Sequence, residues 1–190
     1  MTNALIAACI GYVEELFKGN ADGHDLDHTM RVYRTALAIA KEEAACDLQV
    51  VSLAALLHDA DDYKLFNTVD YANARRFLEG HGVDPLVIEK VIEAIDSVSF
   101  SKNRGKHPTT LEGKIVQDAD RLDALGAIGI ARTFAYGGKH GRDLASSVQH
   151  FYDKLFLLKD EMNTASGRRL AQERHRFMEV FMEEFQKETE

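Results

Sequence analysis

The 190-residue sequence has few structure breakers and few covalent staples: two prolines, two cysteines and no tryptophan. With so little proline, long stretches are free to remain helical. Two cysteines in 190 residues do not make a disulfide framework. Cys9 and Cys46 read as reduced core residues within helical apolar patterns, which suits a cytoplasmic protein. Positive charge is also scarce, 23 Lys and Arg against 31 Asp and Glu, for a formal net charge of −8. That argues against a general nucleic-acid or anionic-membrane binder, since both require basic surface. No uncharged apolar run reaches the roughly 18 residues of a membrane span. The first positive charge is Lys18, so the N-terminal stretch lacks the basic opening of a secretory signal. His-Glu-x-x-His, Glu-x-x-His, Gly-x-Ser-x-Gly and the P-loop pattern are all missing, and nucleophilic serine or cysteine chemistry has no support.

What is present is helical periodicity. Apolar content is 45% and charged content 28%, ordinary for one globular domain of this length. Leu5, Ile6, Cys9, Ile10, Val13, Leu16 and Phe17 recur at i, i+3/i+4 and predict a first helix. A second is expected from about Asp27 to Glu43, and a third from an Asp47 cap to about Asp59. A fourth is expected over about Val69 to Glu79, ending at Gly80-His81-Gly82. Asp84-Pro85 opens a fifth that runs to about Val98, and Ser99 to Pro108 reads as a loop. Thr109-x-x-Glu112 reads as a capping box for a sixth helix. The apolar run continues from Ala124 to Ala135, Gly137-Gly138 and Gly141 mark a loop, and helices follow over about 144–159 and 165–187. No strand pattern, repeat or linker interrupts this. The expectation is one all-α domain spanning 1–190.

His58-Asp59 closes the apolar run Val50 to Leu57. With 8 histidines in an Asp-rich chain, about 0.7 His-Asp pairs arise by chance, and a second stands at His24-Asp25. The dipeptide alone therefore carries no weight; the ordered set does. His28 lies upstream on the second helix and Asp118 downstream on the sixth. Helices of a bundle present inward side chains to one ion. Two imidazoles and two carboxylates make a mixed N/O site, which suits Mn, Fe, Co, Ni or Zn, and Mg less well. Taken singly, Asp118 could pair with Arg121 at i+3, and Asp59 could merely end its helix. Jointly, charged groups in such apolar runs need a partner.

The order His28 … His58-Asp59 … Asp118 resembles the HD-domain metal-dependent phosphohydrolases, an all-helical superfamily. Three segments carry a closer resemblance to its YpgQ/YedJ-like branch. They are Gly23-His24-Asp25-Leu26-Asp27-His28-Thr29-Met30-Arg31-Val32, Leu56-Leu57-His58-Asp59-Ala60-Asp61-Asp62-Tyr63-Lys64, and the stretch from Lys114 to Thr133 containing Gln117-Asp118-Ala119-Asp120-Arg121-Leu122-Asp123. The resemblance covers about residues 20–170. It implies a single-domain helical bundle of the HD type with His28, His58, Asp59 and Asp118 as metal ligands. One divalent transition metal per chain is expected, Mn favoured, because only His81 and His107 lie where dinuclear members carry extra histidines.

Hydrolysis of a phosphate ester or anhydride also needs an oriented water and a proton acceptor. Asp62, three residues after Asp59, is the candidate, with Asp61 its competitor; a solvated acidic turn is the alternative. Arg31, Lys64, Arg121 and His24 are candidates for phosphate oxygens. The loop Ser101 to His107, with Lys102, Arg104 and Lys106, reads either as an anion-collecting lid or as solvated surface. Phe134, Tyr136, Phe151 and Tyr152 could stack a base, though core packing is the commoner use of such residues. The expected activity is conversion of a nucleoside triphosphate to monophosphate and pyrophosphate. A 5′-nucleotidase or other phosphomonoesterase or phosphodiesterase remains open, as does a non-catalytic nucleotide-binding regulatory module. The expected partner is a small phosphorylated molecule, with neither nucleic acid nor membrane, and a homodimer is left open.

Overall fold

The structure, a computed structural model, describes residues 2–19, 25–43, 45–99, 103 and 105–189. Among them are nine α-helices and one 3-10 helix, and no strand. The all-α expectation holds. None of these helices is long and apolar enough to cross a membrane. The chain forms two compact units, Met1–Ala119 and Asp120–Glu190.

The first unit holds α1 (Thr2–Leu16), α2 (Leu26–Glu42), α3 (Leu48–Leu57), α4 (Ala72–Gly80), α5 (Pro85–Asp96) and most of α6 (Leu111–Asp123). Helix α3 lies at its centre, packed against α1, α2 and α5. Every residue from Val50 to Leu57 is buried, as expected of a helix that is apolar on all sides. Each large side chain so buried contributes about 1.5–3 kcal/mol. Three aspartates set the helix starts by accepting backbone N–H groups: Asp25 from His28, Asp47 from Gln49 and Val50, and Asp84 from Leu86. Such bonds satisfy donors that a helix leaves orphaned at its first turn. Helix α4 ends in a Schellman turn. Gly82, at φ +66°, donates to the Glu79 carbonyl, and Val83 donates to that of Leu78.

The second unit holds the last residues of α6, α7 (Gly126–Lys139), α8 (Leu144–Asp153), the 3-10 helix Leu155–Glu161 and α9 (Ala165–Thr189). Phe134, Phe151, Phe156, Phe181 and Phe185 form an aromatic cluster with ring centroids 5.9–6.4 Å apart. Arg174 donates to the Leu122 carbonyl at 2.5 Å, which closes an orphaned acceptor at the end of α6.

Several boundaries differ from expectation. Helix α4 begins at Ala72, because Asp70 and Tyr71 adopt left-handed φ of +53° and +54° and break the helix before it. The capping residue of α6 is Thr110, which accepts from Gly113 N–H at 3.2 Å, whereas Thr109 donates to Glu93. Glu112 accepts from the backbone of Asp47 at 2.7 Å, so Thr109 and Glu112 form no capping box. Gly137-Gly138 lies inside α7. The glycine at 137 is needed for close approach, since a Cβ there would stand 2.3 Å from Ser147 Oγ on α8. The helix expected over 144–159 breaks at Lys154, whose φ of −140° and ψ of −59° are not helical. Cys9 is buried as expected, but Cys46 is half-buried in the turn before α3 rather than on a helix.

Two glycines of α7 have opposite expected responses to alanine. A Cβ at Gly129 would lie 2.2 Å from the Ala124 carbonyl oxygen, whereas one at Gly138 meets nothing within 4 Å. Gly129→Ala is expected to destabilise by about 1–3 kcal/mol or more, and Gly138→Ala to stabilise by up to about 1 kcal/mol. Thermal or urea unfolding of the two variants checks this; equal midpoints would refute the packing account.

Candidate metal centre

His28 occupies the third position of α2, where its backbone N–H is capped by Asp25 at 2.8 Å. That placement directs the ring inward, and only 2% of the residue is exposed. His58 is the residue that ends α3. Its Nδ1 lies 2.9 Å from the Ala55 carbonyl oxygen. A carbonyl can only accept, so Nδ1 carries the proton, and in the neutral ring Nε2 presents its lone pair. Asp59 follows in the turn beyond the helix. His58 and Asp59 are each 8% exposed.

These three side chains converge. The two Nε2 atoms lie 3.2 Å apart. Asp59 Oδ2 is 3.4 Å from Nε2 of His28 and 3.3 Å from Nε2 of His58. Neighbouring ligand positions around an ion with bonds of about 2.1 Å are about 3.0 Å apart in an octahedron and about 3.4 Å in a tetrahedron. The trio therefore fits three adjacent positions of one divalent ion. Its chemistry, two imidazole nitrogens and a carboxylate oxygen, suits a first-row transition metal.

Asp118 sits inside α6 and is fully buried, at 0% exposure. Its neighbour Gln117 donates to the Ser97 carbonyl at 2.6 Å. Asp120 is half-buried on the same helix, turned about 200° from Asp118 around the axis. The family resemblance names Asp118 of these two carboxylates.

The acidic residues after Asp59 have separate contacts. Both oxygens of Asp61 accept backbone N–H groups of α4, Oδ1 from Asn73 and Oδ2 from Ala74, each at 3.0 Å. Asp62 is half-buried, and its Oδ1 accepts the Lys64 N–H at 2.7 Å. Lys64 is exposed, with Nζ 5.6 Å from the centroid of the Tyr63 ring. Arg31 is half-buried one turn after His28.

Arg121 is buried in the second unit, where it donates to the Glu161 carbonyl at 2.5 Å and faces the Glu161 carboxylate at 3.4 Å. Those contacts describe a strut between α6 and the 3-10 helix. Asp123 pairs with Arg132. His24, Ser101, Lys102 and Arg104 lie outside the described residues; Lys106 and His107 are exposed. His81 is exposed at the end of α4 and bonds the Phe77 carbonyl at 2.8 Å. Of the four aromatic candidates, Phe134 and Phe151 belong to the phenylalanine cluster, whereas Tyr136 and Tyr152 are exposed. The contact that sequence reading misses is the one between Asp61 and α4, since its partners are backbone groups twelve and thirteen residues away.

Comparison with known proteins identifies the family. The HD domain family model matches residues 25–125, a span that includes His28, His58, Asp59 and Asp118. The protein YpgQ of Bacillus subtilis (strain 168) is 42% identical over 186 residues, covering 93% of this chain and 90% of that protein. A crystal structure of B. subtilis YpgQ in complex with ADP superposes with a TM-score of 0.87 at 37% identity, covering 99% of this chain and 97% of the other. A HD-superfamily hydrolase from Bacillus thuringiensis gives a TM-score of 0.83 at 39% identity, with 99% and 98% covered. With its His-Asp pair, its all-helical fold and these matches, the chain belongs to the HD domain family.

Proposed function

We propose that the chain is a metal-dependent phosphohydrolase that acts on nucleotides, splitting a nucleoside triphosphate into monophosphate and pyrophosphate. The observation that carries this reading is the buried trio of donor atoms from His28, His58 and Asp59, mutually 3.2–3.4 Å apart. HD domains bind divalent metals, and the HD-superfamily assignment supports a hydrolase. Under this reading His28, His58, Asp59 and a carboxylate of α6, Asp118, hold one ion, with Mn favoured. When bound, a divalent ion supplies charge neutralisation at a phosphoryl oxygen and makes water a better nucleophile near neutral pH.

The protein groups divide the remaining work. Asp62 orients the attacking water and takes its proton. Its Oδ1 is steadied by the Lys64 N–H, which leaves Oδ2 for the water. Water oxygen bonds to the α-phosphorus as the bond from that phosphorus to the bridging oxygen breaks, and pyrophosphate leaves with the bonding pair. The Lys64 ammonium and Arg31 guanidinium hold phosphate oxygens, and the Tyr63 ring beside Lys64 restrains the lysine. The ADP complex of YpgQ supports a nucleotide rather than another phosphorylated molecule.

Product analysis of metal-stripped protein resupplied with Mn, Co, Ni, Mg or Zn is the deciding experiment. Pyrophosphate and monophosphate are expected from a triphosphate. Phosphate from monophosphates would move the protein to the nucleotidases. Nucleotide binding without turnover under any ion would make it a regulatory module.

His58→Ala and Asp59→Ala are each expected to abolish ion binding and turnover; metal analysis showing a full complement would refute the ligand set. Asp118→Asn is expected to do the same. Asp120→Asn is the comparison two residues away, and loss of the ion there but not in Asp118→Asn would reassign the fourth ligand. Asp62→Asn is expected to keep the ion while kcat falls about 10²–10⁴-fold. Lys64→Ala is expected to raise KM with little change in kcat; unchanged steady-state constants would remove either assignment.

A further inference from the structure

The turn after His58 is not helical, yet it carries a ligand of the site. Ala60 N–H donates to the Leu57 carbonyl at 3.0 Å, and Asp62 N–H to the Asp59 carbonyl at 3.1 Å. Beyond these two short-range bonds, the segment is tied to α4 from both directions. Asp61 accepts the N–H groups of Asn73 and Ala74, each at 3.0 Å. In return, the Asn73 side-chain amide donates to the Ala60 carbonyl at 2.8 Å. Asn73 is buried, and its own carbonyl receives the Tyr12 hydroxyl at 3.2 Å, which adds α1 to the network.

This wiring answers a local need of α4. The residue before its first turn, Tyr71, is left-handed and makes no side-chain capping bond. The second and third N–H groups of the helix would otherwise be orphaned. A carboxylate from another part of the chain fills that role. The same bonds fix the backbone next to Asp59: the N–H of Ala60 is held by Leu57, and its carbonyl by Asn73.

We propose that Asp61 and Asn73 are positioning residues that clamp the turn after His58-Asp59 to the first turn of α4, holding the Asp59 carboxylate in register with His28 and His58. Ligand sites depend on such supports, because a carboxylate displaced by an ångström no longer meets the ion. The proposal rests on the metal-site reading above. It gives Asp61 a task distinct from that of Asp62: Asp61 acts through the backbone and touches no substrate.

The test is titration of Co(II) and Mn(II) into metal-stripped Asp61→Ala, Asp61→Asn and Asn73→Ala, followed by calorimetry and by the visible spectrum of bound Co(II). Circular dichroism melts report folding in parallel. Asn73→Ala retains the Asp61 bonds to α4 and favours the helix, so it remains informative if Asp61→Ala folds poorly. Both alanine variants are expected to bind the ion roughly 10–100-fold more weakly and to alter the Co(II) spectrum. Asp61→Asn, which retains one acceptor oxygen, is expected to lose less. Unchanged affinity and spectrum in folded Asn73→Ala would overturn the proposal, whatever happens to the melting temperature. Full ion affinity with collapsed turnover in Asp61→Asn would also overturn it, because that is the signature of a group at the reacting atoms. A wild-type protein that binds no divalent ion would defeat the metal-site reading and this inference with it. A wild-type protein that binds the ion without hydrolysing nucleotides would defeat only the former's chemistry, and the affinity differences would still support the clamp.

Discussion

Two imidazole nitrogens 3.2 Å apart, with a carboxylate oxygen against both, form the contact around which the first unit is organised. Polar groups gathered in a buried place have given up the water that would otherwise solvate them. The fold has to hold them there. It does so by setting the start of one helix, with the Asp25 cap on α2, and the end of another, with the Ala55 carbonyl fixing the His58 ring. Each device removes a freedom that would let the rings swing apart.

The acidic turn shows how little sequence separates different tasks. Asp59, Asp61 and Asp62 lie within four residues, and each meets a different environment. Asp59 faces the imidazoles. Asp61, two positions on, spends both oxygens on α4. Asp62 accepts a single N–H from its own turn. A carboxylate's role here follows from which backbone donors lie within reach, and those are set by where α4 begins.

Much of this could be read before the structure. The caps at Asp47 and Asp84 were legible because an N-cap acts on residues two or three positions away, inside the window that a sequence pattern samples. His28, His58, Asp59 and Asp118 were set together by their order along the chain and by the family resemblance, and the first three do converge. What escaped reading depended on distant partners or unusual backbone. Left-handed Asp70 and Tyr71 delay α4 against its apolar pattern. Gly137-Gly138 looks like a loop but serves the approach of Ser147. Thr109 and Thr110 differ in their partners, not in their chemistry. Asp61 resembled a second candidate base because nothing in its neighbours reveals that its oxygens are committed to α4.

The burial of α3 on every side has a dynamic consequence. A helix with an exposed face can loosen at one end while its other contacts persist; one enclosed by α1, α2 and α5 has no such partial route. His58 and Asp59 hang from the end of that helix, so their fate is coupled to the slowest-opening part of the unit. Backbone amides of Val50 to Leu57 should therefore exchange with solvent only through global unfolding. The cluster of His28, His58 and Asp59 should then persist through the smaller fluctuations that open surface loops, and fail in one cooperative step with the fold.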